Sequence, residues 1–260
     1  MHVCKMYSSA LPEIKTNTVC RLTLTATKFG NNTLNGEFSV GGGRVVEFSQ
    51  GNLYWNGDGY HFEKNQYDYP ISRNLSHLGH FFWSQNPEVA RATTYEDSLR
   101  GEHDVFFTNA TETTPSSTFT VESITGRFRT LSMVEWKYLF KSRANADKLY
   151  KINVSVCGKE NSLVIAPDNF QEEIKPTYQE EEWAKVQRDG LVCLLMAGYT
   201  FASNTPYSSV GYYWSSAPWT ISGAQHIAFA KIIDDIAFES RESIRDYGCC
   251  VRLVKDVVAK

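Results

Sequence analysis

The residues able to do chemistry begin with six cysteines: Cys4, Cys20, Cys157, Cys193, Cys249 and Cys250. They form no C-x-x-C pair and no Cys/His spacing that suits zinc. Cys249 and Cys250 are adjacent, so on a strand their side chains point to opposite faces and cannot converge on one metal. Neighbouring Cα atoms also lie closer than ordinary disulfide geometry favours, which makes the two free thiols. His77 and His80 are spaced H-x-x-H, a pattern that on a helix would put both imidazoles on one face. No Glu or third ligand follows at a metalloprotease spacing. Asp58 lies in Asn56-Gly57-Asp58-Gly59, where a hairpin turn needs the same residue types as a metal loop. The chain has no G-x-S-x-G, P-loop or G-x-G-x-x-G motif. Its carboxylates have no spacing that picks out an acid/base pair. The expectation is a protein that is not an enzyme and uses no metal or other cofactor.

Composition narrows the partners. The net charge of −3 does not suit a duplex nucleic acid held by phosphate neutralisation. Aromatic residues make up 13%, and Tyr and Trp offer broad, stiff contact area at binding surfaces as well as in cores. No apolar run approaches a membrane span, and the first 30 or so residues lack a signal-peptide core. N-x-S/T sequons start at Asn31, Asn74, Asn109 and Asn153, and matter only in a glycosylating pathway.

Positioning elements can be read in chain order. Residues 1–35 are expected to form an extension carrying one strand, in which Cys20, Leu22, Leu24 and Ala26 alternate with polar residues. Residues 36–260 form the main domain. It opens with strands from Glu37 to Trp55, broken at Gly41-Gly42-Gly43, and a hairpin leads into Tyr60-His61-Phe62. Residues 64–120 are irregular. Phe128 to Arg143 reads as a helix: Ser132 and Glu135 form a capping box, and Met133, Trp136, Leu139 and Phe140 form an apolar stripe. Leu149–Val156 and Ser162–Ile165 read as a hairpin across Cys157-Gly158-Lys159-Glu160. A second helix is expected from Tyr178 to Arg188, with a box at Thr177 and Glu180 and a stop at Gly190.

Several segments recur in an order that carries a resemblance: Phe48 to Leu53 (FSQGNL), Phe128 to Phe140 (FRTLSMVEWKYLF), Val164 to Phe170 (VIAPDNF), Met196 to Thr200 (MAGYT), Gly211 to Ser216 (GYYWSS) and Gly248 to Val254 (GCCVRLV). Across Gly36 to Val254 the chain resembles C-type-lectin-fold proteins of gut Bacteroidales and their phages, in the branch similar to formylglycine-generating enzymes. The resemblance implies an α+β fold of C-type lectin-like type, with two helices flanking a small twisted antiparallel sheet and long ordered loops. The oxidases of that branch bind copper through a cysteine pair a few residues apart near the C-terminus. Adjacent Cys249 and Cys250 depart from that pattern. Calcium-dependent sugar binding in this fold uses an E-P-N or Q-P-D type motif, and the related Asn86-Pro87-Glu88 lies far from the usual place.

Within that branch the C-terminal stretch resembles the variable region of diversity-generating-retroelement proteins, in which randomised codons alternate with a constant framework. A-x-x-I-x-F at Ala224 to Phe229 and R-x-x-G-x-x-V-R at Arg245 to Arg252 match such a pattern. Randomising the first two bases of an Asn codon can give His, Ala, Asp, Tyr, Cys or Ser. His226, Ala228, Asp234, Asp235, Ser240, Ser243, Asp246, Tyr247 and Cys249 pass that filter, whereas Trp219, Gln225, Lys231, Glu239 and Glu242 do not. Framework residues Tyr213, Trp214, Ile227, Phe229, Val251 and Leu253 should point inward, which puts Cys249 inward as well on a regular strand. The expected ligand-binding residues are His226, Ala228, Asp234, Asp235, Asp246 and Tyr247, with Trp219 as an aromatic anchor at the edge. The resemblance implies a non-catalytic ligand-binding protein whose partner is a protein or glycan on a cell or phage-host surface, and a location at the cell surface or virion rather than the cytoplasm. The alternative is a fixed-specificity adhesin or structural module on the same scaffold, with an oxidase a more distant third.

Overall fold

The computed structural model describes residues 32–56, 59–68, 77, 79–81, 119–120, 127–201, 210–218, 223–230, 233–242 and 247–257. Strand β1 (Phe38–Gly41) pairs antiparallel with β2 (Arg44–Phe48). Gly41, Gly42 and Gly43 between them all have positive φ (89°, 60° and 72°), a left-handed turn that side chains resist. Strand β3 (Leu53–Trp55) pairs with β4 (Tyr60–Phe62), with Trp55 opposite Tyr60 as a four-residue loop requires. The loop's Asp58 lies outside the described residues, as do the expected strand around Leu22 and the segment Asn86-Pro87-Glu88. Thr33 and Leu34, placed in the extension by the sequence, already pair with Ser49 and Phe48 of the main domain.

Strands β5 (Phe119–Thr120) and β6 (Arg127–Phe128) precede helix α1 (Met133–Lys137), which continues as one π-helical turn, Tyr138–Ser142. The capping box is present as expected: Glu135 N–H donates to Ser132 Oγ at 3.3 Å, and Ser132 N–H donates to Glu135 Oε2 at 2.8 Å. The helix does not begin at Phe128. Residues 128 to 132 are extended because Arg129 exchanges both backbone hydrogen bonds with Val254, and Phe128 pairs with Phe119. A strand pairing with a distant part of the chain thus overrides a locally helical pattern.

Strands β7 (Tyr150–Val156) and β8 (Lys159–Ile165) form a hairpin whose turn is Cys157-Gly158 alone, both at positive φ. The turn is two residues shorter than expected, as suits the twist of a tight hairpin. β9 (Thr177–Tyr178) adds in parallel to β7, and α2 (Glu180–Arg188) follows. Pairing with β7 draws Thr177 and Tyr178 into a strand, so the capping box moves two residues on, to Gln179 and Glu182. Gly190 ends the segment at φ +99°, and a Cβ there would lie 2.4 Å from the Gly36 Cα.

The remaining strands are β10 (Val192–Leu194), β11 (Thr200–Phe201), β12 (Val210–Pro218), β13 (Gly223–Ala230), β14 (Ile233–Glu242), β15 (Tyr247–Gly248) and β16 (Val254–Asp256). The larger sheets run β1-β2-β16, β10-β8-β7-β9 and β12-β13-β14, with short two-stranded pairs beside them. The architecture is mixed α+β, with few helices and small sheets. No helix among the described residues is long and apolar enough to cross a membrane.

Two apolar clusters hold these pieces together. The larger gathers Phe38, Phe48, Trp136, Phe140, Trp183 and Tyr213, among others, from both helices and all three larger sheets. The second gathers Leu53, Phe62, Phe81, Phe128 and Trp214. β12 runs between them, with Tyr213 in the first cluster and Trp214 in the second. The terminal run does the same: Cys250 and Val254 enter the first, and Cys249, Val251 and Leu253 the second. The expectation that one of the two adjacent cysteines faces out is corrected, because both are fully buried. A segment covered on two sides has no outer face. Nor is Val251–Leu253 a regular strand. Its carbonyls serve two different neighbours: Val251 O accepts from Leu53 N–H and Leu253 O from Ser49 N–H.

Candidate functional site

The C-terminal stretch is carried by the β12-β13-β14 sheet. Its register sets Ile227 between Tyr213 and Phe238, and His226 between Trp214 and Glu239. Tyr213 and Trp214 are fully buried, Ile236 is buried, and half-buried Phe238 packs near Phe140 with ring centroids 6.3 Å apart. These contacts fasten the sheet to α1 and its π turn. Tyr213 Oη accepts from Leu195 N–H at 2.9 Å, and Trp214 Nε1 donates to the Phe81 carbonyl at 2.7 Å. The framework side chains therefore have both apolar contacts and directional anchors.

Among the expected binding residues, Asp235 is described in full. It is exposed, near the start of β14, and both its carboxylate oxygens accept from Lys141 Nζ at 2.7 Å. Tyr150 Oη donates to Oδ1 at 3.5 Å, and Ile236 N–H at 2.7 Å. Hydrogen bonding to Lys141 holds the Asp235 carboxyl below its usual range and raises the Lys141 ammonium. Burial raises the Tyr150 hydroxyl, partly offset by the neighbouring Lys141 charge. His226, Ala228 and Asp234 lie on the same three-stranded sheet by their backbone. Tyr247 lies in the separate β11–β15 pair, opposite Phe201. The side chains of these four, and the whole of Trp219 and Asp246, lie outside the described residues.

Beside Asp235 the fold provides a cleft that sequence reasoning missed. It has a volume of about 510 Å³, and Lys148, Tyr150, Lys151, Gln171 and Glu172 are among the residues lining it. Tyr150 belongs to both the cleft wall and the Asp235 cluster. Neither Lys141 nor Tyr150 carried a sequence signal, since one follows the helical stripe and the other opens an ordinary hairpin.

The other chemical candidates separate. His77 and His80 are not on a helix: His77 makes an isolated bridge, and residues 79 and 80 are irregular. The Nε2 of His77 lies 2.6 Å from Glu63 Oε1, and its ring stacks on Tyr54 at 4.1 Å. Burial raises the Glu63 carboxyl, partly offset by its bond to His77. His80 points into the core, where burial lowers its pKa to about 4. Burial also raises the thiols of Cys249 and Cys250, which face different clusters. Among the described residues no group of three or more His, Cys, Asp or Glu side chains is placed to hold a metal ion. No protein-family model, no curated protein and no solved structure matches the chain.

Proposed function

We propose that this chain is a non-catalytic ligand-binding protein on a C-type lectin-like scaffold, displaying a binding surface built from its C-terminal stretch in the manner of retroelement-diversified proteins. The observation that carries the reading is the division of labour within that stretch. Tyr213, Trp214 and Cys249 to Val254 are locked into two cores, while Asp235 between them is exposed. A scaffold that tolerates change at display positions needs this separation, because surface substitutions shift stability by only about 0.5 kcal/mol each. The cleft beside Tyr150 gives the surface a concave neighbour in which a protein or glycan ligand can seat. The copper-oxidase alternative loses support from the two cysteines: they face opposite clusters, and burial keeps both protonated.

The test replaces His226, Asp234, Asp235 and Tyr247 with Ala together. The expected outcome is an unchanged fold, by circular dichroism and melting temperature, with loss of binding to the partner recovered by pull-down with the unaltered protein. Unfolding would assign these residues to the framework, and unchanged affinity would place the site elsewhere. A near-copy of the DNA for this stretch, differing only at adenines and lying beside a reverse transcriptase, would separate diversification from fixed specificity.

A further inference from the structure

Arg252 lies in the middle of the buried terminal run, and its side chain is fully enclosed. A guanidinium offers five N–H donors and no acceptor. Here Nη2 donates to Gln66 Oε1 at 2.6 Å, while Nε and Nη1 meet no acceptor among the described residues. The other buried arginines are treated differently. Arg129 is clasped by Glu135 and Asp256, and Arg143 by Asp168 and the carbonyls of Ala166 and Leu149. Arg252 forms no ion pair among the described residues. Gln66 cannot neutralise it, and its Oε1 also accepts from Cys193 N–H at 2.9 Å.

The ionisable groups whose charge would favour this guanidinium are the Tyr213 hydroxyl and the Cys193 thiol. Burial keeps both protonated, pushing Cys193 up to about 12 and Tyr213 well above its usual range. Burial lowers Arg252 only to about 10, so it is a cation at neutral pH. An enclosed charge without a counter-charge is strongly unfavourable, and hydrogen bonds to neutral groups do not remove it.

We propose that Arg252 binds a small inorganic anion, chloride in ordinary solution, on the N–H groups that Gln66 leaves open. A monatomic anion suits the place: it needs no donor of its own and accepts from any direction. Water could satisfy the same N–H groups but would leave the charge standing. The anion is then a structural ligand between the two cores, independent of the proposed display surface.

The test measures melting temperature as chloride replaces gluconate at constant ionic strength, in the wild-type protein and in Arg252→Met. Wild type should gain about 3–5 °C for each tenfold rise in chloride above its dissociation constant, and Arg252→Met should not respond. Equal responses in the two proteins, or none in either, would overturn the proposal. Wild-type crystals grown in bromide give a second readout that does not depend on Arg252→Met folding. An anomalous peak within hydrogen-bonding distance of the Arg252 guanidinium is expected, and a guanidinium without one would overturn the assignment.

Discussion

Acidification from pH 7 to pH 4 should cost this protein about 3 kcal/mol through one side chain, His80. The imidazole is 1% exposed, and burial lowers its pKa from 6.5 to about 4. In the unfolded chain it takes up its proton as pH falls through about 6.5, whereas in the folded protein it resists until about 4. Between those values the unfolded state binds more protons, so stability falls with pH, and the loss levels off below 4. At about 1.36 kcal/mol for each pH unit between the two values, the full loss is about 3.4 kcal/mol, of which about 3 kcal/mol falls between pH 7 and pH 4. The assay is urea unfolding at pH 7, 6, 5 and 4 for wild type and for His80→Gln, which keeps a neutral polar group but cannot titrate. Carboxylates such as Glu63 and Asp235 titrate in both proteins and cancel in the difference. The variant should lose ground at pH 7 and recover about 3 kcal/mol relative to wild type by pH 4. A difference that stays constant across the series, or a His80 NMR titration centred near 6.5, would refute the reasoning.

Other expectations follow from the same contacts. Trp136 is fully buried against Phe48 and Phe140, with ring centroids 6.0 and 5.9 Å away, so Trp136→Ala should cost about 3–5 kcal/mol in chemical denaturation. Glu135→Ala should cost about 3–5 kcal/mol, because it breaks the α1 cap and leaves buried Arg129 with Asp256 as its one carboxylate partner among the described residues. Adding Arg129→Met should restore part of that loss, which a double-mutant cycle would measure. Metal analysis of the purified protein should find no stoichiometric copper, zinc or calcium, and a chelator should leave the melting temperature unchanged. A shift of many degrees would contradict this.

Local patterns in the sequence foretold local structure. The Ser132–Glu135 box, the three-glycine turn, the four-residue loop before Tyr60 and the burial of Trp136 each depend on residues close along the chain, or on a stripe with the helical period. Errors arose where a distant segment competed. Phe128 and Arg129 left the helix to pair with Phe119 and Val254, and Tyr178 left its helix to pair with Val156. His77 and His80, written as one motif, went to a carboxylate and to the core.

The candidate site divides along the same line. Alternation together with the family resemblance marked Tyr213, Trp214, Val251 and Leu253 as framework, and all four are buried; Asp235, a display position only by that resemblance, is exposed. Only the tertiary structure could supply Lys141 and Tyr150 as partners of Asp235, because 94 and 85 residues separate them from it. The same holds for the second face of the terminal run. Alternation assumes one buried side and one wet side, but a segment between two cores buries both, which is how Cys249 and Cys250 are both enclosed and Arg252 sits in the interior with no carboxylate partner among the described residues. Residue types along a chain record which groups prefer burial. Which of them meet, and whether a charge meets its counter-charge, is decided when sheets distant in sequence close on one another.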